Sequence, residues 1–164
     1  MNSVKILVVI ILGITLLWAI SSGPLRDPEE TLKDFYDGKY RAEVQLKDPL
    51  ILNGQRVLPL VLNALPKKDM PKRRYAIGFV GGGRYVEALP VLKSILNDES
   101  ELNYFRADAL EAIYQIDKPL SYRLAEQYTN EPDLFGEVAT QIINGKSPIY
   151  STRTYWDAFI GHKD

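Results

Sequence analysis

Residues 73–117 read RRYAIGFVGGGRYVEALPVLKSILNDESELNYFRADALEAIYQID, and the spacing of apolar side chains along this stretch decides the fold. Between Tyr85 and Leu96 the apolar positions Val86, Leu89, Leu92, Ile95 and Leu96 fall three and four apart, so they share one face of a helix. Glu87 and Lys93 point elsewhere. Phe105, Ala109, Ala112, Ile113 and Ile116 form a matching stripe on the next helix, with alanines where helices approach closely. The run Gly81 to Gly83 predicts a tight joint between helices, and Asp98 to Ser100 predicts another.

The pattern repeats on either side. VLPLVLNAL, starting at Val57, echoes ALPVLKSIL, starting at Ala88, an offset of about 31 residues. RRYAIGFV lines up with FRADALEAI so that Arg73 falls over Arg106, Ala76 over Ala109, Ile77 over Leu110 and Val80 over Ile113, an offset of about 33. Two helices per unit follow. Asp117 to Pro119 is a turn, after which Leu120 to Tyr128 and Pro132 to Ile143 read as a further pair. A unit of this size cannot bury its apolar face alone, so the units must stack.

Upstream, Asp27 followed by Pro28, Glu29 and Glu30 is a helix start: a capping acceptor, proline at the first helical position and carboxylates at the positive end of the dipole. A helix is expected from about Pro28 to Asp37, ended by a left-handed turn at Gly38. Tyr40 to Leu52 alternates like a strand over its first half yet also suits a helical face broken by Asp48 and Pro49; helix is favoured.

The stretch from Arg73 to Asp117 resembles HEAT repeats of the short, bilin-lyase-like type. Arg73 and Arg106, Ala76 and Ala109, Pro59 and Pro90, and Asp98 match that pattern residue by residue. The likeness loosens toward Gln55 and fades before Gly54 and after Tyr128. It implies an all-α protein, a short right-handed α–α superhelix of the HEAT solenoid type, over residues 24–145, with residues 146–164 as a capping tail. It also implies an interaction role and no reaction, because the residues shared by that family are structural.

Ahead of this domain, residues 1–23 carry an uncharged run, ILVVIILGITLLWAI, from Ile6 to Ile20 after Lys5. About 15 apolar residues suit a signal-peptide core and are short for a span, which wants roughly 17–25, although Val4 and a snorkelling Lys5 lengthen the run. Ala19 and Ser21 offer small residues for cleavage, so a retained helical anchor through residues 4–20 and a cleaved signal both stand. The positive flank lies before the run, whereas Asp27, Glu29, Glu30 and Asp34 outweigh Arg26 and Lys33 after it. The domain is therefore expected outside the cytoplasm, in the periplasm if the source is bacterial.

The search for chemistry is short. No cysteine is present, so disulfides, thiolate metal sites and thiol nucleophiles are excluded. The only histidine is His162, which leaves no histidine-based triad or metal cluster. A net charge of −1 gives no general attraction to nucleic acid, and no nucleic-acid partner is expected. Gly145, Lys146 and Ser147 have the order that closes a phosphate-binding loop, but Thr140 stands where that loop needs glycine and Pro148 blocks the following helix. Asp98, Glu99 and Glu101 read as a solvated capping turn, too few ligands for a calcium loop. No cofactor or metal is implied, and no catalytic residue.

Charge and aromatic residues leave two candidate surfaces. Lys67, Lys68 and Lys72, with Arg73 and Arg74, form a basic cluster able to dock an acidic partner or anionic lipid. Tyr75, Phe79, Tyr104 and Tyr114 fall on second helices. Arg73, Arg74, Tyr75, Tyr104 and Arg106 are the expected contact residues for an unidentified protein partner, because tyrosine and arginine bury much area while keeping a polar end. Tyr150, Tyr155, Trp156, Phe159 and Ile160 are expected to fold back as a cap. The expected function is a membrane-tethered, outward-facing interaction or scaffold module. A peripheral lipid-contacting or spacer protein is the alternative, and a lyase-like enzyme subunit a more distant one.

Overall fold

The computed structural model describes residues 26–38 and 42–146. The hydrophobic run at residues 4–20 and, of the expected capping tail at residues 146–164, all but Lys146 lie outside the described residues. Among those described, the protein is all-α: eight helices and three short 3-10 turns, with no strand. No described helix is long and apolar enough to cross a membrane.

The helices are α1 (Pro28–Asp37), α2 (Asp48–Asn53), α3 (Leu58–Ala64), α4 (Arg73–Gly82), α5 (Leu89–Asn97), α6 (Asn103–Ile116), α7 (Lys118–Ala125) and α8 (Asp133–Ile143). The local chemistry sets their starts. Asp27 accepts a hydrogen bond from the Glu30 amide at 3.2 Å, and Asp117 does the same for Leu120 at 2.9 Å, each satisfying a free donor of the first turn. Pro28, Pro49, Pro59, Pro90 and Pro119 all stand in first turns, where the missing N–H costs nothing. Pro49 therefore opens α2 where a break was expected. The preceding residues 43–45 form a 3-10 turn, so among the described residues the helix favoured for Tyr40 to Leu52 exists over the last five residues of that stretch, Asp48 to Leu52.

The two echoing segments fold alike. Val61 and Leu92, Leu65 and Leu96, Ala76 and Ala109, Ile77 and Leu110, and Val80 and Ile113 are corresponding positions, and all are wholly buried. Each fully buried Leu, Ile or Val contributes roughly 1.5–3 kcal/mol of transfer free energy, so these stripes are the main source of cohesion. The longest helix, α6, packs against α4, α5, α7 and α8 and forms the centre of the core. Where α4 meets α6, a Cβ added at Gly81 would lie 2.8 Å from the Ala112 Cα, nearer than side-chain carbons approach backbone. The absence of a side chain there sets the helix spacing.

Three local expectations need correction. Gly38 has φ −57, so it does not supply the left-handed turn expected of it. Gly81 and Gly82 belong to α4 itself, and close packing on α6 requires the smallness of Gly81. The left-handed residue of the following joint is Arg84, at φ 52. Val86 is 62% exposed, because a 3-10 turn at Val86–Ala88 precedes α5 and shifts the angular phase of the apolar stripe.

Candidate functional site

The residues expected at a contact surface divide into buried and exposed sets. Arg73 is 3% exposed and Arg106 6%, so neither is available to a partner, and their placement on the contact surface is corrected. The reason is the same for both. Arg73 Nε donates to the Leu65 carbonyl at 2.8 Å and Arg106 Nε to the Leu96 carbonyl at 3.0 Å, the equivalent oxygens of the two preceding helices. Each guanidinium then reaches into the next unit. Arg73 pairs with buried Glu101 at 2.5 Å and lies over the Phe105 ring at 4.9 Å. Arg106 lies over Phe135 at 4.5 Å, with Glu131 3.9 Å away. Buried cations persist only when donors and charge are satisfied together, and this double anchoring does so.

The basic cluster also resolves into individual attachments. Lys68 pairs with Asp98 at 2.8 Å and donates to Ser100 at 2.8 Å. The bond from Lys68, and then those that the Ser100 hydroxyl and amide donate to Asp98 at 2.6 and 2.9 Å, pull the Asp98 carboxyl down to about 2. Lys72, at the entry to α4 with φ 54, donates to the Phe35 carbonyl at 2.8 Å and ties α4 to α1. Lys67 is exposed. Most of this run is thus engaged within the fold, and Asp98 and Glu101 of the acidic turn are its counter-charges.

The remaining expected residues, Arg74 and Tyr75, open onto a cleft of about 290 Å³ between α4, α6 and the segment leading into α2. Glu43, Lys47, Gly78, Asp108, Glu111, Ala112 and Gln115 line it as well. Arg74 holds Asp108 with two hydrogen bonds, at 2.7 and 3.0 Å. The Tyr75 hydroxyl donates to Glu43 at 2.9 Å across the cleft. Tyr104, 40% exposed and tilted at 43° against the Phe105 ring with centroids 4.4 Å apart, stands one turn before Asp108 on the same helix. Phe79 and Tyr114 are buried and serve as core.

Electrostatics distinguishes this cleft from the rest of the surface. Burial raises the Asp108 carboxyl, and the two bonds from Arg74 offset part of that rise. Burial first, and Asp108 second, push Glu111 up to about 7, with Arg74 and Lys47 opposing weakly. The hydrogen bond to Asp108 raises Arg74, and the bond to Glu43 raises Tyr75. Glu111 accepts no hydrogen bond and has no ion-pair partner among the described residues. Sequence reasoning missed Asp108, Glu111 and Gln115, although their spacing after Tyr104 places them together on one helix face beside the apolar stripe. Glu43 and Lys47 carried no such signal, because a separate segment brings them in.

Among the described residues no group of three or more histidine, cysteine or carboxylate side chains is arranged to hold a metal ion. No family model matches the sequence, and neither the curated proteins nor the solved structures include one that matches the chain.

Proposed function

We propose that the chain is a HEAT-like α–α solenoid acting as a membrane-tethered, outward-facing interaction module, which holds a protein partner along the cleft face of its second helices. The observation that carries this reading is the row of polar and charged side chains on α4 and α6: Arg74, Tyr75, Tyr104, Asp108, Glu111 and Gln115. A broad, mixed polar and aromatic face on rigid helices is suited to recognition of another protein. The solenoid reading draws support from bonds that recur near the sequence offset of the units: Tyr75 to Glu43, Gln55 to Glu87, Lys68 to Ser100 and Tyr128 to Asn97. The tether is the run at residues 4–20, and its charge flanks give the orientation. Lipid contact through Lys67, Lys68 and Lys72 is the weaker reading, because Lys68 and Lys72 are engaged inside the fold.

The test is recovery of the tagged full-length protein from its own membranes, beside a variant carrying Arg74→Glu and Tyr104→Ala. A stoichiometric protein recovered by the first and lost from the second, with both giving the same helical circular dichroism, is expected. Recovery of nothing above background from either would remove the scaffold reading. Protease added to the outer side of intact cells or sealed vesicles should digest the domain; full protection would reverse the orientation.

A further inference from the structure

We infer that the cleft between α4 and α6 is a receptor for a basic side chain, a lysine or arginine of the partner protein, which it accepts at Glu111. Each other charged group at the cleft already has an interaction. Arg74 and Asp108 hold each other, Glu43 accepts from Tyr75, and Lys47 is engaged where its side chain passes over Gly78. Glu111 alone presents a carboxylate with neither hydrogen bond nor ion pair, half-buried and one turn beyond Asp108. Three carboxylates face two cations across the opening, so the lining favours an incoming positive group over an anion.

A carboxylate in this position is costly in its charged form, because it has lost water and gained a like-charged neighbour without gaining a partner. An incoming ammonium or guanidinium supplies that partner and a donor together. The cleft's volume of about 290 Å³, bounded by Gln115 one turn further along, leaves room for the aliphatic stem. Binding is then linked to the proton on Glu111: the cation enters as the proton leaves. With Glu111 titrating near 7, the charged fraction rises about tenfold between pH 6 and pH 8, and affinity for a cation should rise with it. Arg74, raised by its bond to Asp108, keeps its charge through this range and opposes the cation equally at both ends, and Lys47 also faces Glu111.

This inference rests on the cleft face being a protein-contact surface, and the experiment keeps the two apart. Full-length protein in detergent micelles is titrated with Nα-acetyl-lysine amide, Nα-acetyl-arginine amide and, as an uncharged comparison, Nα-acetyl-norleucine amide. Butylammonium is added as a free-amine arm. Backbone amide shifts at Gly78, Glu111, Ala112 and Gln115 report binding. The basic amino-acid amides should shift these signals with affinity rising about tenfold from pH 6 to pH 8, and Glu111→Gln should abolish both the shifts and the pH dependence. Glu111→Asp, which keeps the charge, should retain part of the response. Equal shifts from norleucine amide, persistence in Glu111→Gln, or affinity independent of pH would overturn the assignment, as would silence at all four amides. Butylammonium binding as tightly as the amino-acid amides would replace the partner's side chain with a small free amine. A partner recovered equally well by Glu111→Gln would leave the interaction module standing without this site. Probe binding with no partner recovered would leave the site and remove the module.

Discussion

Arg73 and Arg74 are adjacent in sequence and identical in chemistry, yet they occupy opposite environments. Arg73 is sealed between units with Glu101, its side chain 2% exposed, whereas the Arg74 side chain is 56% exposed and borders an open cleft with Asp108. One helical step of about 100° separates them, enough to send one side chain into the core and the other to the surface. The contrast shows that a run of basic residues is not a unit of function. In Arg73 the charge is part of the joinery, held by a carbonyl of its own unit and a carboxylate of the next. In Arg74 it tunes the electrostatics of a neighbouring unpaired carboxylate.

The comparison is broken most severely at the buried member. Arg73→Ala removes the partner of a carboxylate whose side chain is 4% exposed and leaves the Leu65 carbonyl without its donor. Stranding one charge of a buried pair costs on the order of 3–5 kcal/mol, a large share of a single domain's stability. Urea denaturation of the full chain should show that loss, and Arg73→Lys should recover little, since one ammonium cannot reproduce both attachments. Arg106→Ala should cost less, because Glu131 is 3.9 Å away and 34% exposed. Equal losses at the two arginines would mean that the ring contacts, and not the carboxylates, hold the seam.

A second prediction concerns pH and the cleft. The Glu111 carboxyl titrates near 7 in the folded chain against 4.5 as its ordinary value, so the folded state binds more protons than the unfolded state between them. Stability from this group is fully present below about 4.5 and is lost as pH rises through about 7, amounting to at most ~3 kcal/mol. Glu111→Gln should therefore be the more stable protein at pH 8 and differ little from the parent at pH 4. Thermal melts across that range check it, and parallel melting curves for the two proteins at every pH would refute the buried, unpaired state of this carboxylate.

The same two arginines show how far sequence reading reaches. Arg73, Ala76, Ile77 and Val80 lie at core spacing, as do Arg106, Ala109, Leu110 and Ile113, so the burial of both arginines was present in the periodicity. Reading them as surface residues followed charge and overlooked phase. The helix pairs were legible because their apolar stripes are long and regular, and the extent of α1 followed from its cap and first-turn proline. Val86 was not legible, since a 3-10 turn resets the phase by an amount that composition does not encode. Nor was the approach of Glu43 and Lys47 to the cleft, because it depends on how the short α2 and its leading turn settle against α4.

The smallest expected effect lies at the exposed member of the pair, and it sharpens the comparison most. Arg74→Ala removes an ion pair whose cation is largely in water, so its cost should be at most about 1 kcal/mol, a fraction of the loss at Arg73. Its electrostatic consequence should exceed its structural one. Arg74 opposes the rise of both Asp108 and Glu111, so its removal should carry both carboxyls further upward. Carboxyl carbon shifts followed by NMR titration would register this while the helical signal stays unchanged. A destabilisation as large as that of Arg73→Ala would show that the cleft pair is also joinery. An unmoved Glu111 midpoint would show that burial alone, without the neighbouring charges, sets the proton affinity of the cleft.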